Sequence, residues 1–555
     1  MRYIAMKRFA VTYTLLVLSV LTPTFLMAQK NHTFQVMKNL DIFNNMYTTL
    51  DTYYVDTLDA NKLMKTGIDA ILRSLDPYTE YYSDDEADDL KMLTQAKYGG
   101  IGSLIRMMKD STVIIAEPYV NMPAAEVGLQ AGDVLLKIDK TDLKGMTSSE
   151  VSDLLRGEPG STFVLKFQRP GESKSREVKI TRKSIKLPAV PYYGMVRGHG
   201  YINLNQFTND CYADVRKAII SLKQQGATDL IFDLRGNPGG ALDQAVKIVN
   251  LFVPKGLTIV ETRGKVRSGN SSYKTSDNPL DENMPLVVLV NNGSASASEI
   301  VSGSIQDLDR GVVVGARTYG KGLVQSIRDL PYNGSIKLTT AKYYIPSGRC
   351  IQEIDYKKKR QEESDKNGTA TKADSIFHTL NGREVLSGKG IAPDVEVPHD
   401  TIQNIVFYLS NDDVLMKYSV KYFQTHPAPT SVADFKITDS DFEDFKSMVV
   451  ESGFKYDRLS DKGLQELKKV ATFEGYYEDA KAEFDALEAK LTHNLSVELD
   501  RHEKDIKQML ALEIIKRYFY EAGSIQEALK DDPDLQKAIE ILEDKNEYNK
   551  ILNKQ

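Results

Sequence analysis

Along the chain the spacing of apolar residues changes three times, and each change marks a different kind of structure. From residue 29 to 95, Val36, Leu40, Phe43 and Met46, then Ile68, Ile71 and Leu72, recur every three or four residues, the period of amphipathic helices. This helical region closes on LDPYTEYYS, where Asp76-Pro77 marks a turn, and the SDDEADDLK that follows reads as a solvated helix start. From 96 to 186 the pattern shortens to strands. YGGIGSLIRM, STVIIAEPY, GDVLLKIDK, STFVLKFQR and REVKITRKS predict them, with TSSEVSDLLRG as the single amphipathic helix. From 187 to 400 strand and helix alternate in the α/β manner: GYINLNQF, the helix DVRKAIISLKQQG, the strand DLIFDL, the turn RGNPGG, the helix ALDQAVKIVNLF, the strand PLVVLV and the helix SEIVSGSIQDL. GVVVGARTYGKGLVQSIRDL and GSIKLTTAKYYIPSGR predict further strands, residues 352–378 form a charged surface insertion, and GKGIAPDVEVP returns to the core. From 401 to 555 long helices with alternating charges dominate.

Composition agrees with this modular, multidomain α/β reading. At about one domain per 100 to 200 residues, 555 residues imply three or four domains, and 41% hydrophobic with 27% charged residues suffices for sizeable cores. Residues 1–28 stand apart. Arg2, Lys7 and Arg8 precede a short apolar run from Phe9 to Leu21, and Leu26-Met27-Ala28 follows. The run is shorter than the ~20 residues a spanning helix needs and has the layout of a secretory signal cleaved after Ala28. Export to the periplasm or cell envelope is therefore expected. Loss of the three basic residues takes the net charge from −6 to −9, which disfavours nucleic acid as a partner. Cys211 and Cys350 are too few for a disulfide framework, and whether they pair is open. None of the seven histidines sits in an HExxH pattern, so no metal site is expected.

Candidate chemistry concentrates where PLVVLV runs into NNGSASASEI. The serines lie at a strand-to-helix bend on the carboxyl edge of the sheet, where ligands bind in α/β folds. Ser296 and Glu299 form S-x-x-E, a capping box, which alone explains a serine there. The same helix start offers unpaired amides to an oxyanion. A histidine base is missing, since the nearest candidate, His199, adjoins a glycine in what reads as a loop. A desolvated lysine is the alternative. Lys321 in TYGKGLVQ lies between Gly320 and Gly322, where bare backbone admits another segment, and Gln325 shares its side of a regular strand. The turn DLRGNPGG ends a second buried strand on that edge, so Gly239 or Gly240 can present an amide beside Ala297. The glycine-led YGGIG precedes a strand rather than a helix. That disfavours nucleotide binding and suits capture of a peptide's terminal carboxylate.

SASASEI, TYGKGLVQ with Lys321 25 positions after Ser296, DLRGNPGG, YYIPSGR, GIAPDV and LDPYTEYYS together resemble the carboxyl-terminal processing, or tail-specific, proteases over about residues 40 to 400. The resemblance implies a PDZ domain at 96–186 in series with a crotonase/Clp-like serine peptidase core at 187–400, between the helical region at 29–95 and a C-terminal helical domain at 401–555. It implies Ser296 as nucleophile, Lys321 as general base, Gln325 as its orienting partner, and an oxyanion hole of Ala297 with Gly239 or Gly240. Ser294 and Ser298 become bend and first-turn residues. Gly100, Ile101, Gly102, Ser103 and Leu104 become the loop that binds apolar C-terminal tails of protein substrates, with Arg156 reporting on that binding. No cofactor is implied. Both helical regions offer surfaces for homo-oligomer formation. A competing expectation is a catalytically inactive PDZ adaptor on a protease-like core; an acyl-CoA enzyme of the crotonase fold fits the export signal poorly.

Overall fold

The computed structural model describes residues 32–86, 97–356, 375–399, 403–491 and 494–554. The predicted leader, most of SDDEADDLK and residues 357–374 of the charged insertion lie outside the described residues. Contacts divide the chain into two compact units, Met1–Tyr81 and Tyr82–Gln555. The first contains a helix over 32–53 and the helix Ala60–Arg73, capped by Asp59, whose side chain accepts from Lys62 N–H. In its DPYT turn the Asp76 carboxylate accepts from the Tyr78 and Thr79 amides, both at 2.9 Å.

The second unit begins with a β-rich module. Its sheet runs Ser103–Met107, Val113–Pro118, Val134–Ile138, Thr162–Gln168, Arg176–Thr181, all antiparallel, which leaves Ser103–Met107 on the edge. The helix Ser148–Leu155, held by a Thr147/Glu150 capping box, packs against that strand. Gly99 lets the entering strand lie against another segment: a Cβ there would come 2.0 Å from Gly157 O.

The central sheet follows the order Tyr192–Val196, His199–Asn203, Leu230–Asp233, Leu286–Val290, Val312–Gly315, Val395–Glu396. Only the first pair is antiparallel. The return of GIAPDVEVP to the core is the pairing of Val395–Glu396 with Val312–Gly315. Alternate residues of the apolar runs serve opposite faces. Phe232, Leu286, Val288 and Val290 face the helices Cys211–Gln224, Leu242–Asn250 and Ala297–Asp307, whereas Ile231, Val287, Leu289 and Val314 meet Leu535, Ala538, Ile539 and Tyr548. PLVVLV is apolar at every position because both faces are covered. The second cover is the C-terminal pair of helices, Pro533–Glu543 and Lys545–Ile551.

A second sheet runs in the order Ser271–Lys274, Thr258–Gly264, Ser335–Tyr344, Leu323–Asp329, and its residues Leu323, Gln325 and Tyr343 border the same cleft as Ser296. Behind the peptidase core, Asn404–Asn411, Val414–Thr425, Asp439–Glu451 and Glu503–Ala528 enclose their own core, which includes Tyr418, Phe442, Phe445, Ile506 and Ile514. The thiols Cys211 and Cys350 are not bridged. Among the described residues no helix is long and apolar enough to cross a membrane.

Candidate active site

Parallel strands deliver two turns to the same sheet edge. Leu286–Val290 leads into the serine bend and the helix Ala297–Asp307, and Leu230–Asp233 leads through RGNPGG into the helix Leu242–Asn250. Two of the three serines bind these turns together. Ser294 Oγ donates to Leu234 O at 2.8 Å and accepts from Asn291 N–H at 3.0 Å, while Ser298 Oγ donates to Asn237 O at 2.8 Å. Both are fully buried. Ser296 lies differently. Its φ of +56° places a non-glycine residue in a region that costs about 1–3 kcal/mol, and it borders a cleft of about 470 Å³ together with Gly239, Gly240, Ala297, Lys321 and Gln325.

The capping glutamate does more than cap. Glu299 is fully buried, and its carboxylate accepts from the Ser296 amide at 2.8 Å, the Gly320 amide at 2.8 Å, the Lys321 amide at 2.9 Å and Thr318 Oγ1 at 2.6 Å. One carboxylate therefore ties the Ser296 bend to the Lys321 loop. Burial pushes its carboxyl above the usual range, and the four donors oppose that push. Tyr343 adds a second tie, because its buried hydroxyl sits 3.0 Å from Ser296 O and also donates to Lys321 O.

The glycines beside Lys321 admit another segment, as their spacing predicts. A Cβ on Gly322 would meet Gln352 N at 2.7 Å, and one on Gly320 would meet Glu353 Cβ at 2.7 Å. The gaps are filled by hydrogen bonds, Gly322 N–H to Gln352 Oε1 at 2.8 Å and Glu353 N–H to Gly320 O at 3.0 Å. Lys321 and Gln325 both border the cleft, although the strand has a register shift between Val324 and Gln325. Gln325 Nε2 donates to Thr339 Oγ1 at 3.2 Å.

On the opposite wall Gly239 nearly touches the bend: a Cβ there would stand 2.8 Å from Ser296 Cβ and 2.9 Å from Ala297 N. Its amide donates to Asn237 Oδ1 at 2.9 Å. Phe207 uses both of its backbone groups on the flanking residues, Gly239 O and Ala241 N–H, so Gly240's own N–H and C=O face away from Phe207.

In the β-rich module Gly100, Ile101, Ser103, Leu104 and Arg156 border one groove of about 490 Å³, between the edge strand and the helix Ser148–Leu155. Gly102 is not among its lining residues; its φ of +65° turns the loop over Met122. Ser103 Oγ is buried there with no hydrogen-bond partner among the described residues. Arg156 ends the helix, 3.8 Å from Asp153.

His199 is a correction. It opens the strand His199–Asn203 rather than a loop, because Gly200 lies flat against its neighbours, with a notional Cβ 2.9 Å from Asp229 O. Its Nδ1 pairs with Asp229 at 2.9 Å, at the amino end of a parallel strand and hence the wrong edge to serve Ser296. Residue types alone did not single out Thr318, Tyr343 or Asn237. Their one signal was membership of the TYGKG, YYIPSGR and DLRGNPGG stretches.

This α/β core with a two-turn serine cleft and an edge-strand peptide groove defines a peptide-handling hydrolase, and comparison with known proteins is specific. Residues 198–359 match peptidase family S41, residues 114–169 a PDZ domain, and residues 405–542 the C-terminal helical domain of probable PDZ-proteases. A carboxy-terminal-processing protease of Bartonella bacilliformis is 39% identical over 322 residues, 57% of this chain and 73% of that protein. A probable CtpA-like serine protease of Staphylococcus aureus is 34% identical over 319 residues, 56% of this chain and 62% of that protein. Among solved structures, the photosystem II D1 C-terminal processing protease is 28% identical, with 64% of this chain and 92% of that one covered at a TM-score of 0.35. The chain belongs to the carboxy-terminal-processing proteases of peptidase family S41, and it is a serine-type peptidase.

Proposed function

We propose that this protein is an exported endopeptidase that holds the C-terminal tail of a protein substrate in its PDZ groove and cleaves the chain with Ser296 and Lys321. The observation that carries this reading is the sorting of the three serines. Ser294 and Ser298 spend their hydroxyls on Leu234 O and Asn237 O, whereas Ser296 stands at the cleft with Lys321. Neutral Lys321 removes the Ser296 proton as Oγ attacks the scissile carbonyl carbon. The resulting ammonium returns that proton to the leaving amine, the C–N bond breaks, and an acyl-enzyme remains. Water then gives a proton to the same lysine and attacks the ester carbon, the bond from that carbon to Ser296 Oγ breaks, and the ammonium returns the proton to Oγ as the new carboxyl end leaves.

The oxyanion is received by the amides of Ala297, at the helix start, and Gly240. Gly240 is preferred over Gly239 because the Gly239 amide is committed to Asn237. Gln325 orients the lysine without adding charge. In the PDZ domain the edge strand Ser103–Met107, unpaired on its outer side among the described residues, accepts the tail as an added strand, and Ile101 and Leu104 favour an apolar terminal residue. The sequence of residues 1–28 supports export with cleavage after Ala28.

The test incubates residues 29–555 with an unfolded protein ending in apolar residues, in parallel with Ser296→Ala and Lys321→Ala. Cleavage by the parent alone is expected. Cleavage by all three refutes the dyad, and cleavage by none favours an adaptor.

A further inference from the structure

The turn that carries Gly239 and Gly240 is fastened to the helix that follows Ser296, to the Leu204–Phe207 segment through Asn237 Nδ2, Gly239 O and Ala241 N–H, and on its outer side to a third element. On the inner side Leu234 O takes Ser294 Oγ, Asn237 O takes Ser298 Oγ, and Gly236 N–H donates to Asn291 Oδ1 at 2.9 Å. On the outer side stands Arg235. Its guanidinium reaches Asp233 of its own strand at 2.6 Å, Asp532 at 2.6 and 2.9 Å, and Asp534 at 2.9 Å. Asp532 and Asp534 begin the helix Pro533–Glu543, almost 300 residues further along the chain. The same Asp532 carboxylate caps that helix by accepting from the Asp534 and Leu535 amides. Asp534 is also bound by His399 Nε2 at 3.0 Å, and Asp233 by Tyr201 Oη at 2.6 Å.

We propose that Arg235, Asp532 and Asp534 form a clamp through which the C-terminal helices position the oxyanion turn, so that the end of the chain is part of the catalytic apparatus. The inference rests on the assignment of Ser296 and the turn amides given above. The clamp is not needed to keep the helices in place. Leu535, Ala538, Ile539, Ile541, Tyr548 and Leu552 already bury an apolar surface against the sheet. What it adds is direction. A planar guanidinium held by carboxylates on two elements has its orientation fixed, as a lone ammonium would not. Arg235 lies two residues before Asn237, whose side chain holds the Gly239 amide. Rotation at Arg235 therefore moves the amides that receive the oxyanion, without touching the walls that bind the rest of the substrate. Arg235, Asp532 and Asp534 are positioning residues.

The test uses the full mature chain with Asp532→Asn and Asp534→Asn together, a change that keeps volume and leaves an asparagine able to cap the helix. We expect kcat to fall roughly tenfold or more, part of the 10²–10³ lost when an oxyanion donor is removed outright, with KM within about twofold. Affinity for a peptide aldehyde, whose adduct with Ser296 presents an oxyanion, should fall in parallel with kcat/KM. Affinity of the Ser296→Ala background for uncleaved peptide should not change. Arg235→Lys, which keeps the charge but cannot bridge both aspartates, should give an intermediate loss and serves as the reading should the double variant fail to fold. Unchanged kcat and aldehyde affinity would overturn the clamp. So would equal losses in aldehyde and ground-state peptide binding, which would mark a merely structural contact. Absence of cleavage by the parent chain would instead refute the dyad itself.

Discussion

Replacing Glu299 by glutamine keeps the shape of the side chain and removes half of its capacity to accept hydrogen bonds. Oε1 accepts from Thr318 Oγ1 and Gly320 N–H, and Oε2 from Ser296 N–H and Lys321 N–H. An amide offers one oxygen, so whichever way it turns, two donors face an NH₂ group. Each buried donor left unpaired costs about 1–3 kcal/mol, hence about 2–6 kcal/mol for the two. The lower bound corresponds to roughly a 30-fold change in a local equilibrium. Global stability reports this poorly, because the neutral amide also relieves the burial that pushes the Glu299 carboxyl up. That relief has a sign. A carboxyl whose folded pKa is raised contributes stability below its ordinary value and loses it as pH rises through the raised value. The glutamine variant should lack that loss. The local effect is read by hydrogen exchange on peptides covering 294–300 and 318–322. Protection there should fall roughly 30-fold or more in Glu299→Gln, with kcat falling while the distant PDZ sheet keeps its protection. Unchanged exchange at both segments with unchanged kcat would refute the idea that this carboxylate holds nucleophile and base together.

Three further outcomes follow from the same geometry. Ser294→Ala and Ser298→Ala should each lower stability by about 1–2 kcal/mol in chemical unfolding yet retain cleavage within a few-fold, whereas Ser296→Ala should retain none. Tyr343→Phe should lower kcat by about tenfold with little change in KM, since the hydroxyl that contacts Ser296 O and Lys321 O is about one hydrogen bond's worth of positioning. Gly322→Ala should cost about 1–3 kcal/mol by overpacking, because its Cβ would lie 2.7 Å from Gln352 N, and peptide turnover should drop as the lysine loop shifts.

The features legible in the sequence were local ones. PLVVLV announced a strand buried on both faces, and the strand-to-helix bend behind it announced a sheet-edge site. The glycines around Lys321 foretold the close approach of another segment, though not that the segment would be Gln352–Glu353. What periodicity could not supply was pairing over long separations. Leu535 and Ile539 show only an amphipathic helix, and nothing in their spacing says that they cover Val287 and Leu289, some 250 residues earlier. For the same reason Glu299 read as a cap, since its partners at Ser296 are local and those at Gly320 and Lys321 are not. His199 was misplaced in a loop because a glycine on each side usually signals one, while here Gly200 allows the strand to pack against Asp229. Residue types left Ser296 balanced between cap and nucleophile. The fates of the Ser294 and Ser298 hydroxyls favour the second role.

The central claim is that Ser296 forms the acyl-enzyme, and acid quenching of the mature chain during turnover of a tailed peptide tests it most directly. Mass spectrometry of the quenched digest should find the peptide's acyl portion on the fragment containing Ser296, with neither adduct nor cleavage in Ser296→Ala. An adduct on any other residue, or undiminished cleavage by Ser296→Ala, would contradict the account.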